Sequence, residues 1–405
     1  MTNRFRIQLF VSAALLATPA FAQDTDIEPQ EGDIVVTATR TQSLASKTPI
    51  ALTAIGGEGL RDAGVSNPTQ LADLVPNLSI DRGNGLQITI RGVTSRDGTE
   101  KGDPSAAFLL DGIYIARPQA QEVSFFDLER VEVLRGPQGT LFGRNSTAGV
   151  VHVISARPVD HFAASVDATY GNFDTVQATA MVNVPVAPGF ALRGAVNYDR
   201  RDSYIKPWAN SHWKLDPGKK NLSARLSALI DFGPDVTLLL RGDYSKIDGR
   251  PANTVRLTNF FDRPFAPGTR SPVYKDIGST AQRTRDYNEG SESFYDNDTW
   301  GITGELNWAL GPVTMTYLGS YREFNRHEQG PQDLSPFFPT AQRGVFEGHY
   351  WQNSQELRFA YDNGGAFTGQ VGGYYFKEKS GIGAFIIDPP MAIFPAGTPA
   401  GVIRY

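Results

Sequence analysis

Residues 126–146 run Phe-Asp-Leu-Glu-Arg-Val-Glu-Val-Leu-Arg-Gly-Pro-Gln-Gly-Thr-Leu-Phe-Gly-Arg-Asn-Ser, a short alternating strand that breaks into a glycine-rich turn. Period-2 alternation sets Val131 and Val133 on one face and Arg130 and Glu132 on the other. Gly136, Pro137, Gly139 and Gly143 then bend the backbone repeatedly, with no helix expected after them. Glu129, Arg130, Glu132, Arg135 and Arg144 place charges in and beside this apolar strand. Two readings fit: a hairpin whose charges face water, or a seam whose charges meet a second polar surface. The surrounding chain decides between them.

Upstream lie the makings of a compact α/β domain. Asp33 to Arg40 is a β-branched run near the N-terminus, suited to an edge strand or to pairing with a partner's sheet. A strand over 50–55 is followed by a short helix over 57–64. Asn67 then caps a second helix with Pro68 in its first turn, which would bury Leu71, Leu74 and Val75 before Pro76 ends it. Leu86, Ile88 and Ile90 alternate with polar residues as a strand. Asp111-Gly112 marks a tight hairpin within 108–115, and 149–155 supplies a last strand. The loop 94–105 between these strands carries Arg96, Asp97, Glu100, Lys101 and Asp103, a charge density that solvated loops commonly have.

After Pro158 the pattern changes to long period-2 strands. Phe190, Leu192, Gly194, Val196 and Tyr198 face one way, and Ala191, Arg193, Ala195, Asn197 and Asp199 face the other. Nine such strands are predicted, at 162–170, 174–185, 189–201, 221–232, 235–247, 298–310, 312–325, 350–362 and 365–379. Tight turns (185–188, 233–234, 311–312, 363–365) alternate with longer loops (202–220, 248–297, 326–349), the loop 171–173 alone being short on that side. Long strands, aromatics near strand ends and this sorting of connections are the pattern of an outer-membrane β-barrel; a soluble sandwich has little reason for it.

The chain's address agrees. Arg4 and Arg6 precede an apolar run over 7–17, and Ala20-Phe21-Ala22 fits a signal-peptide cleavage site, leaving Gln23 as the mature N-terminus. No segment reaches the ~18–20 apolar residues of a spanning helix. The net charge of −5 is spread along 405 residues, which excludes the clustered basic face of a nucleic-acid binder. The absence of cysteine removes disulfides and thiolate metal sites.

In this combination the chain resembles a TonB-dependent outer-membrane receptor of the siderophore-receptor type. Asp33-Ile34-Val35-Val36-Thr37-Ala38 resembles the TonB box, 126–158 the end of the plug domain, and Ser354-Gln355-Glu356-Leu357-Arg358 a recurrent barrel strand. The resemblance implies a signal peptide over 1–22, a flexible segment with the box over 23–40, an α+β plug over 41–158 and an antiparallel transmembrane β-barrel from 159 to 405. In that family the plug fills a barrel of about 22 strands. Nine would leave open edges in lipid, so the chain is expected to be the N-terminal part of a longer product.

The resemblance further implies energy-coupled uptake of a large, scarce solute, with a ferric siderophore leading and cobalamin, haem or a glycan as alternatives. Arg82, Asn84, Arg96, Asp97 and Lys101 are the expected substrate contacts, Asp33 to Ala38 the TonB contact, and Glu129, Arg130, Glu132, Arg135 and Arg144 the plug–barrel seam. The expected wall partners are Arg193, Arg225, Arg241, Glu305, Glu356 and Arg358. The implied partners are TonB with its inner-membrane energising complex, an iron chelate or similar solute, and outer-membrane lipid of a Gram-negative bacterium; no cofactor or metal is implied. Two other readings remain: a non-transporting fragment, and a secreted soluble β-sandwich binding module.

Catalysis has little support. Ser146 lies between Gly143 and Gly149, a spacing one residue too wide on each side for a nucleophile elbow. No Gly-Lys-Ser/Thr follows the glycines at 136, 139 and 143, as a phosphate loop requires. The histidines 152, 161, 212, 327 and 349 show no ligand spacing.

Overall fold

The computed structural model describes residues 35–40, 43–95, 97, 99, 102–204, 206–207, 216–250, 285–286, 293–331, 343–365, 367–387 and 402–404. The expected signal peptide lies outside them. The chain divides into two units, Met1–Thr48 and Pro49–Tyr405. Within the first, β1 (Val35–Val36) pairs antiparallel with β2 (Ser43–Leu44).

The second unit opens with β3 (Leu52–Gly56) and α1 (Gly57–Asp62). Asn67 caps the next segment, its Oδ1 accepting from the Thr69 amide at 3.1 Å. That segment, Pro68–Asp73, forms the expected helix as a short 3₁₀ helix. Its last turn relaxes, with the Leu74 and Val75 amides both donating to the Leu71 carbonyl at 3.0 Å. Leu71 and Val75 are buried, whereas Leu74 is 36% exposed, against expectation.

Next come β4 (Leu78–Gly83) and β5 (Gly85–Ile90), an antiparallel hairpin turning at Asn84. Leu86, Ile88 and Ile90 are its buried row, as the alternation predicts, while β4 had no sequence prediction of its own. β6 (Ala106–Leu110), β7 (Ile113–Tyr114), β8 (Leu128–Arg135) and β9 (Gly149–Ser155) join β3 in a five-stranded sheet of order β3-β8-β9-β6-β7. Asp111 and Gly112 link β6 to β7 with φ of 52° and 82°, the double left-handed conformation of a type I′ turn. A one-turn helix, α2 (Gly139–Phe142), follows the glycines at 136 and 139 where none was expected. Val131, Val133, Phe108, Leu110, Val151 and Val153 pack with Leu71 and Ile90 into one core. The opposite face of β8 carries Arg130 and Glu132, and both are buried too.

The remaining strands form one antiparallel meander: β10 (Ala163–Gly171), β11 (Thr175–Ala187), β12 (Phe190–Arg201), β14 (Lys219–Asp231), β15 (Val236–Gly249), β17 (Phe294–Leu310), β18 (Val313–Pro331), β19 (Arg343–Asp362), β20 (Thr368–Ile387) and β21 (Val402–Arg404). The short strands β13 (Lys206–Pro207) and β16 (Arg285–Asp286) pair in parallel apart from this sheet. No pairing joins β10 to β21 among the described residues, so the sheet is not closed and corresponds to an incomplete barrel. Several strands outrun their predicted ends: β19 begins at Arg343 rather than 350, and β20 continues to Ile387 rather than 379. The β19 extension mixes Val345 and Phe346 with charged residues and the β20 extension is glycine-interrupted and apolar, so neither keeps the alternation by which a strand is recognised.

The sheet has inverted polarity. Asn183, Ser227, Arg241, Thr303, Ser320 and Arg322 are buried, whereas Val166, Leu226, Ile302 and Val371 are 58–78% exposed. In water this arrangement would be unfavourable on both faces. A bilayer outside and a polar domain inside reverse the sign, because hydrocarbon accepts the apolar row and only paired charges tolerate burial.

Candidate functional site

The sequence of the plug dictates which of its groups can reach the wall. Asp127 has φ of 48° and precedes β8, so its side chain is displaced from the strand's alternation. It takes both guanidinium arms of Arg193 on β12, one at 2.8 Å. Arg225 on β14 donates to the Phe126 and Asp127 carbonyls at 3.3 Å, its guanidinium lying 4.6 Å from the Phe126 ring centre. Ser124 and Ser223 share a hydrogen bond of 3.0 Å.

The fastening continues round the sheet. Asp111 on the β6–β7 turn faces Arg241 of β15 at 3.9 Å, and its carboxylate accepts from the Ser155 amide (2.8 Å) and hydroxyl (2.9 Å). Arg157 reaches Glu305 of β17 at 2.9 Å. Gln352 of β19 accepts from the Ala116 amide (3.2 Å) and donates to the Tyr114 carbonyl (2.7 Å). Arg117 grips Glu378 of β20, with one bond of 3.1 Å. The plug therefore touches strands from β12 to β20, and the sheet bends round it.

Of the residues expected in the seam, Arg144 meets the wall, while Glu129, Arg130, Glu132 and Arg135 make contacts within the plug. Arg130 bonds Glu132 at 2.8 Å and also pairs with Glu129, all on β8. His152 accepts from the Gly112 amide through Nε2 at 2.9 Å and brings Nδ1 within 4.0 Å of Glu132. Arg135 reaches the Pro76 carbonyl at 3.4 Å. Arg144 binds Asp103 at 2.7 Å, lies 3.9 Å from Glu378 and covers the Tyr114 and Phe376 rings. Of the expected wall partners, Arg193, Arg225, Arg241 and Glu305 meet the plug, while Glu356 and Arg358 pair with each other at 3.3 Å. Sequence reasoning does not single out Asp111, Arg117 or Asp127 as wall contacts. Asp111 stands out in the sequence only as half of a turn.

At the loop end of the sheet, Arg82 pairs with Glu122, and Asn84 at the hairpin tip accepts from Arg326 Nη2 at 2.6 Å. Burial pushes the Glu122 carboxyl upward, with Arg82 only partly opposing it. Asp97 accepts from the Thr99 hydroxyl (2.6 Å) and amide (3.0 Å), which hold its carboxyl below the usual range. Burial works to raise Asp103, but bonds from Asn145 and Arg144 outweigh it and leave the carboxyl lowered. Arg96 and Lys101 lie outside the described residues, so only Arg82 and Asn84 of the expected substrate contacts are seen on one hairpin.

In the first unit, Asp33 and Ile34 lie outside the described residues. Val35 and Val36 are the strand β1, whose ladder is occupied by Ser43 and Leu44, and Val36 and Ala38 are buried. Thr37 accepts the Arg40 amide at 2.9 Å in the turn after β1. Among the described residues no group of three or more His, Cys, Asp or Glu could hold a metal.

Comparison with known proteins agrees with this architecture. Residues 45–150 match the TonB-dependent receptor plug domain. The pesticin receptor of Yersinia pestis is 29% identical over 191 residues, 46% of this chain and 28% of that protein. The vitamin B12 transporter BtuB of Vibrio vulnificus is 29% identical over 205 residues, 48% of this chain and 32% of the transporter. Among solved structures, the ferric yersiniabactin uptake receptor FyuA from Yersinia pestis superposes with a TM-score of 0.70 at 18% identity, covering 86% of this chain and 51% of that one. The chain thus spans about a third or less of the curated relatives it matches and about half of the solved one.

Proposed function

We propose that this chain, whose residues 45–150 match the TonB-dependent receptor plug domain and whose later strands share the fold of such receptors, is the N-terminal part of one and serves energy-coupled uptake of a large, scarce solute across an outer membrane. A ferric siderophore is the leading substrate. The solute would bind at the loop end, against Arg82, Asn84, Arg96, Asp97 and Lys101. Binding would free Asp33 to Ala38 to pair as a strand with TonB, which transmits energy from the inner membrane. Met1 to Ala22 would direct export and be removed, leaving the box segment to Arg40, the plug over 41–158 and the barrel strands beyond.

One observation carries the reading: the plug is held to the wall by separable polar contacts at Arg193, Arg225, Arg241, Glu305, Gln352 and Glu378. The neutral Gln352 bonds exchange with water at a net cost of about 0.5–1.5 kcal/mol each, and the bonds to charged groups at about 1.5–3 kcal/mol each. A pulled plug can therefore shift one contact at a time, with water replacing each partner. The β1–β2 pairing is only two residues long, so a competing strand can displace it. Glu129, Arg130, Glu132 and Arg135 on β8, with Arg144 beyond it, would serve the same movement by keeping this part of the plug polar.

The similarity to a vitamin B12 transporter favours cobalamin as the second substrate reading, by the same mechanism. A test separates both from a soluble binding module. The full-length product, expressed in Gram-negative cells, should fractionate with the outer membrane as heat-modifiable material. A Val35→Cys variant should then cross-link to TonB. Soluble periplasmic product without cross-linking would refute the proposal.

A further inference from the structure

The connection between β10 and β11, residues 172–174, is short for the loop end of the sheet and conformationally strained. Phe173 and Asp174 have φ of 61° and 47°, the left-handed region that tight hairpins usually give to Asn and Gly. Hydrogen bonds from every side hold them there. The Thr175 amide (3.3 Å) and hydroxyl (2.6 Å) both donate to the Asn172 carbonyl, and the Asp202 amide donates to the Phe173 carbonyl at 2.7 Å. Arg200 donates to the Asp174 carbonyl at 3.1 Å, and the Tyr170 hydroxyl to Asp174 Oδ1 at 3.0 Å. Strain over-determined by its surroundings in this way points to a site where a side chain has to be presented. The side chain presented is Phe173, 53% exposed, against the edge of Tyr204, 58% exposed, with 6.5 Å between ring centres.

A second local conflict adjoins the first. Arg201, the last residue of β12, stands directly opposite Lys219 of β14, a like-charge register pair. Lys219 is neutralised by Asp199. Arg201 makes no ion pair or hydrogen bond among the described residues, and its guanidinium lies over the Tyr204 ring, 5.5 Å from the centre. Arg201 shares the inner row of β12 with the buried Asp199, and with Thr175 it lines a cavity of about 440 Å³, so the cluster opens toward the interior of the sheet rather than toward lipid. The other charged residues around that cavity are engaged: Arg82 pairs with Glu122, Lys219 with Asp199, and Asp81 accepts from the Ser79 hydroxyl at 3.1 Å.

We propose that Phe173, Tyr204 and Arg201 form a binding subsite for an aromatic ring that carries an anionic oxygen, a carboxylate or a phenolate. The ring packs against the two exposed aromatic side chains in the offset or edge-on geometry that π-systems prefer. Arg201, whose fork of N–H donors has no acidic partner among the described residues, takes the anionic oxygen. A solute without a ring would leave the aromatic pair wet, and one without the charge would leave Arg201 unanswered. Both conflicts then have one cause. Glycine at 173 and a neutral side chain at 201 would suit the local fold better, and breaches of local preference that adjoin one another mark a functional site. As part of a transported solute's site the subsite rests on the uptake reading above, while its test reads binding alone.

The test is a ligand-observed NMR titration of the purified full-length receptor in detergent, referenced to empty micelles, with benzoate as the aryl anion and benzamide as its uncharged match. Wild type should bind benzoate saturably and more tightly than benzamide. Arg201→Gln should weaken benzoate about tenfold, the loss of one hydrogen bond to a charged group, and erase the preference over benzamide. Phe173→Gly should weaken both probes severalfold without lowering the thermal midpoint, because glycine takes the left-handed φ without strain. Arg201→Gln relieves the like-charge pair with Lys219, so both variants keep the fold and a loss of binding reports the subsite. Unsaturable benzoate binding, equal wild-type affinity for the two probes, or wild-type benzoate affinity in either variant would each overturn the subsite. A Phe173→Gly receptor that inserts poorly into vesicles yet keeps wild-type benzoate affinity would assign the aromatic pair to the lipid interface and overturn it as well. The expected binding pattern in a receptor that shows no box-dependent uptake would instead overturn the uptake reading and leave the subsite standing.

Discussion

Replacing Asp111 by Asn should loosen the plug at a predictable cost. The carboxylate is buried on the β6–β7 turn, accepts two bonds from Ser155 and faces Arg241. Asparagine keeps an acceptor for the Ser155 amide and tolerates the left-handed φ of 52°. The loss is therefore electrostatic, since the buried Arg241 loses one of its two facing carboxylates and keeps only Glu305, also at 3.9 Å. Removing one partner of a buried pair costs about 3–5 kcal/mol, and the 3.9 Å separation points to the lower end, about 3 kcal/mol. At about 1.4 kcal/mol per tenfold change, local opening of β6 and β9 should increase by about two decades.

The assay is hydrogen exchange on the full-length receptor, read in peptides covering 106–114 and 149–155. Asp111→Ala should exchange faster still, because alanine adds about 1–2 kcal/mol of left-handed strain. The pH dependence has a definite sign. Burial acts to raise the Asp111 carboxyl, but Arg241, Arg225 and the Ser155 bonds outweigh it and hold it below its ordinary value of 3.8. A lowered carboxyl contributes stability that is complete above the ordinary value and is lost as pH falls through the folded one. Protection should thus be flat near neutrality and fall only in strong acid. Exchange in Asp111→Asn within about threefold of wild type, under 1 kcal/mol, would refute the reasoning.

Three further outcomes rest on the same geometry. Leu226→Arg, on a side chain 61% exposed on the outer face, should cost about 2–4 kcal/mol if it lies near the bilayer centre, measured by urea refolding of the full-length receptor in vesicles; Leu226→Phe should be nearly neutral there. Gly149→Ala should prevent β9 from docking, since its φ is +153° and the new methyl would lie 2.2 Å from the Leu134 carbonyl oxygen; limited proteolysis should cut the plug at protease levels that spare wild type. A double-mutant cycle on Asp127 and Arg193 should give a coupling of about 1–3 kcal/mol in plug unfolding, and one on Glu129 and Arg130, where Glu129 is 42% exposed, less than about 1 kcal/mol.

Much of the fold is legible in the sequence because it rests on local periodicity. The row Leu86, Ile88, Ile90 and the Asp111-Gly112 turn carry their structure in a few neighbouring residues. The wall strands are legible for the same reason, although their inverted polarity must be recognised before the apolar face can be assigned to lipid. The hairpin strand β4 escapes because Leu78 and Ile80 give too short an alternation. The plug–wall contacts are hardest to read. That Asp127 meets Arg193, and that Arg130 turns to Glu132 within its own strand, depends on how high each side chain sits inside the sheet. No local spacing encodes that height. The stretch 126–146 combines both cases: its valines declare the core, while the charges of its strand find partners beside them and leave the wall to Phe126, Asp127 and Arg144.

The central claim is tested most directly by deleting Asp33 to Ala38 from the full-length receptor and measuring surface binding and uptake separately in the same cells. The probes are radio-iron chelates of the catecholate, hydroxamate and mixed types, together with radiolabelled cobalamin. The account predicts that a probe bound and accumulated by wild type will still bind at the surface of the deletion variant while its accumulation is abolished. Accumulation at the wild-type rate without the box would contradict it.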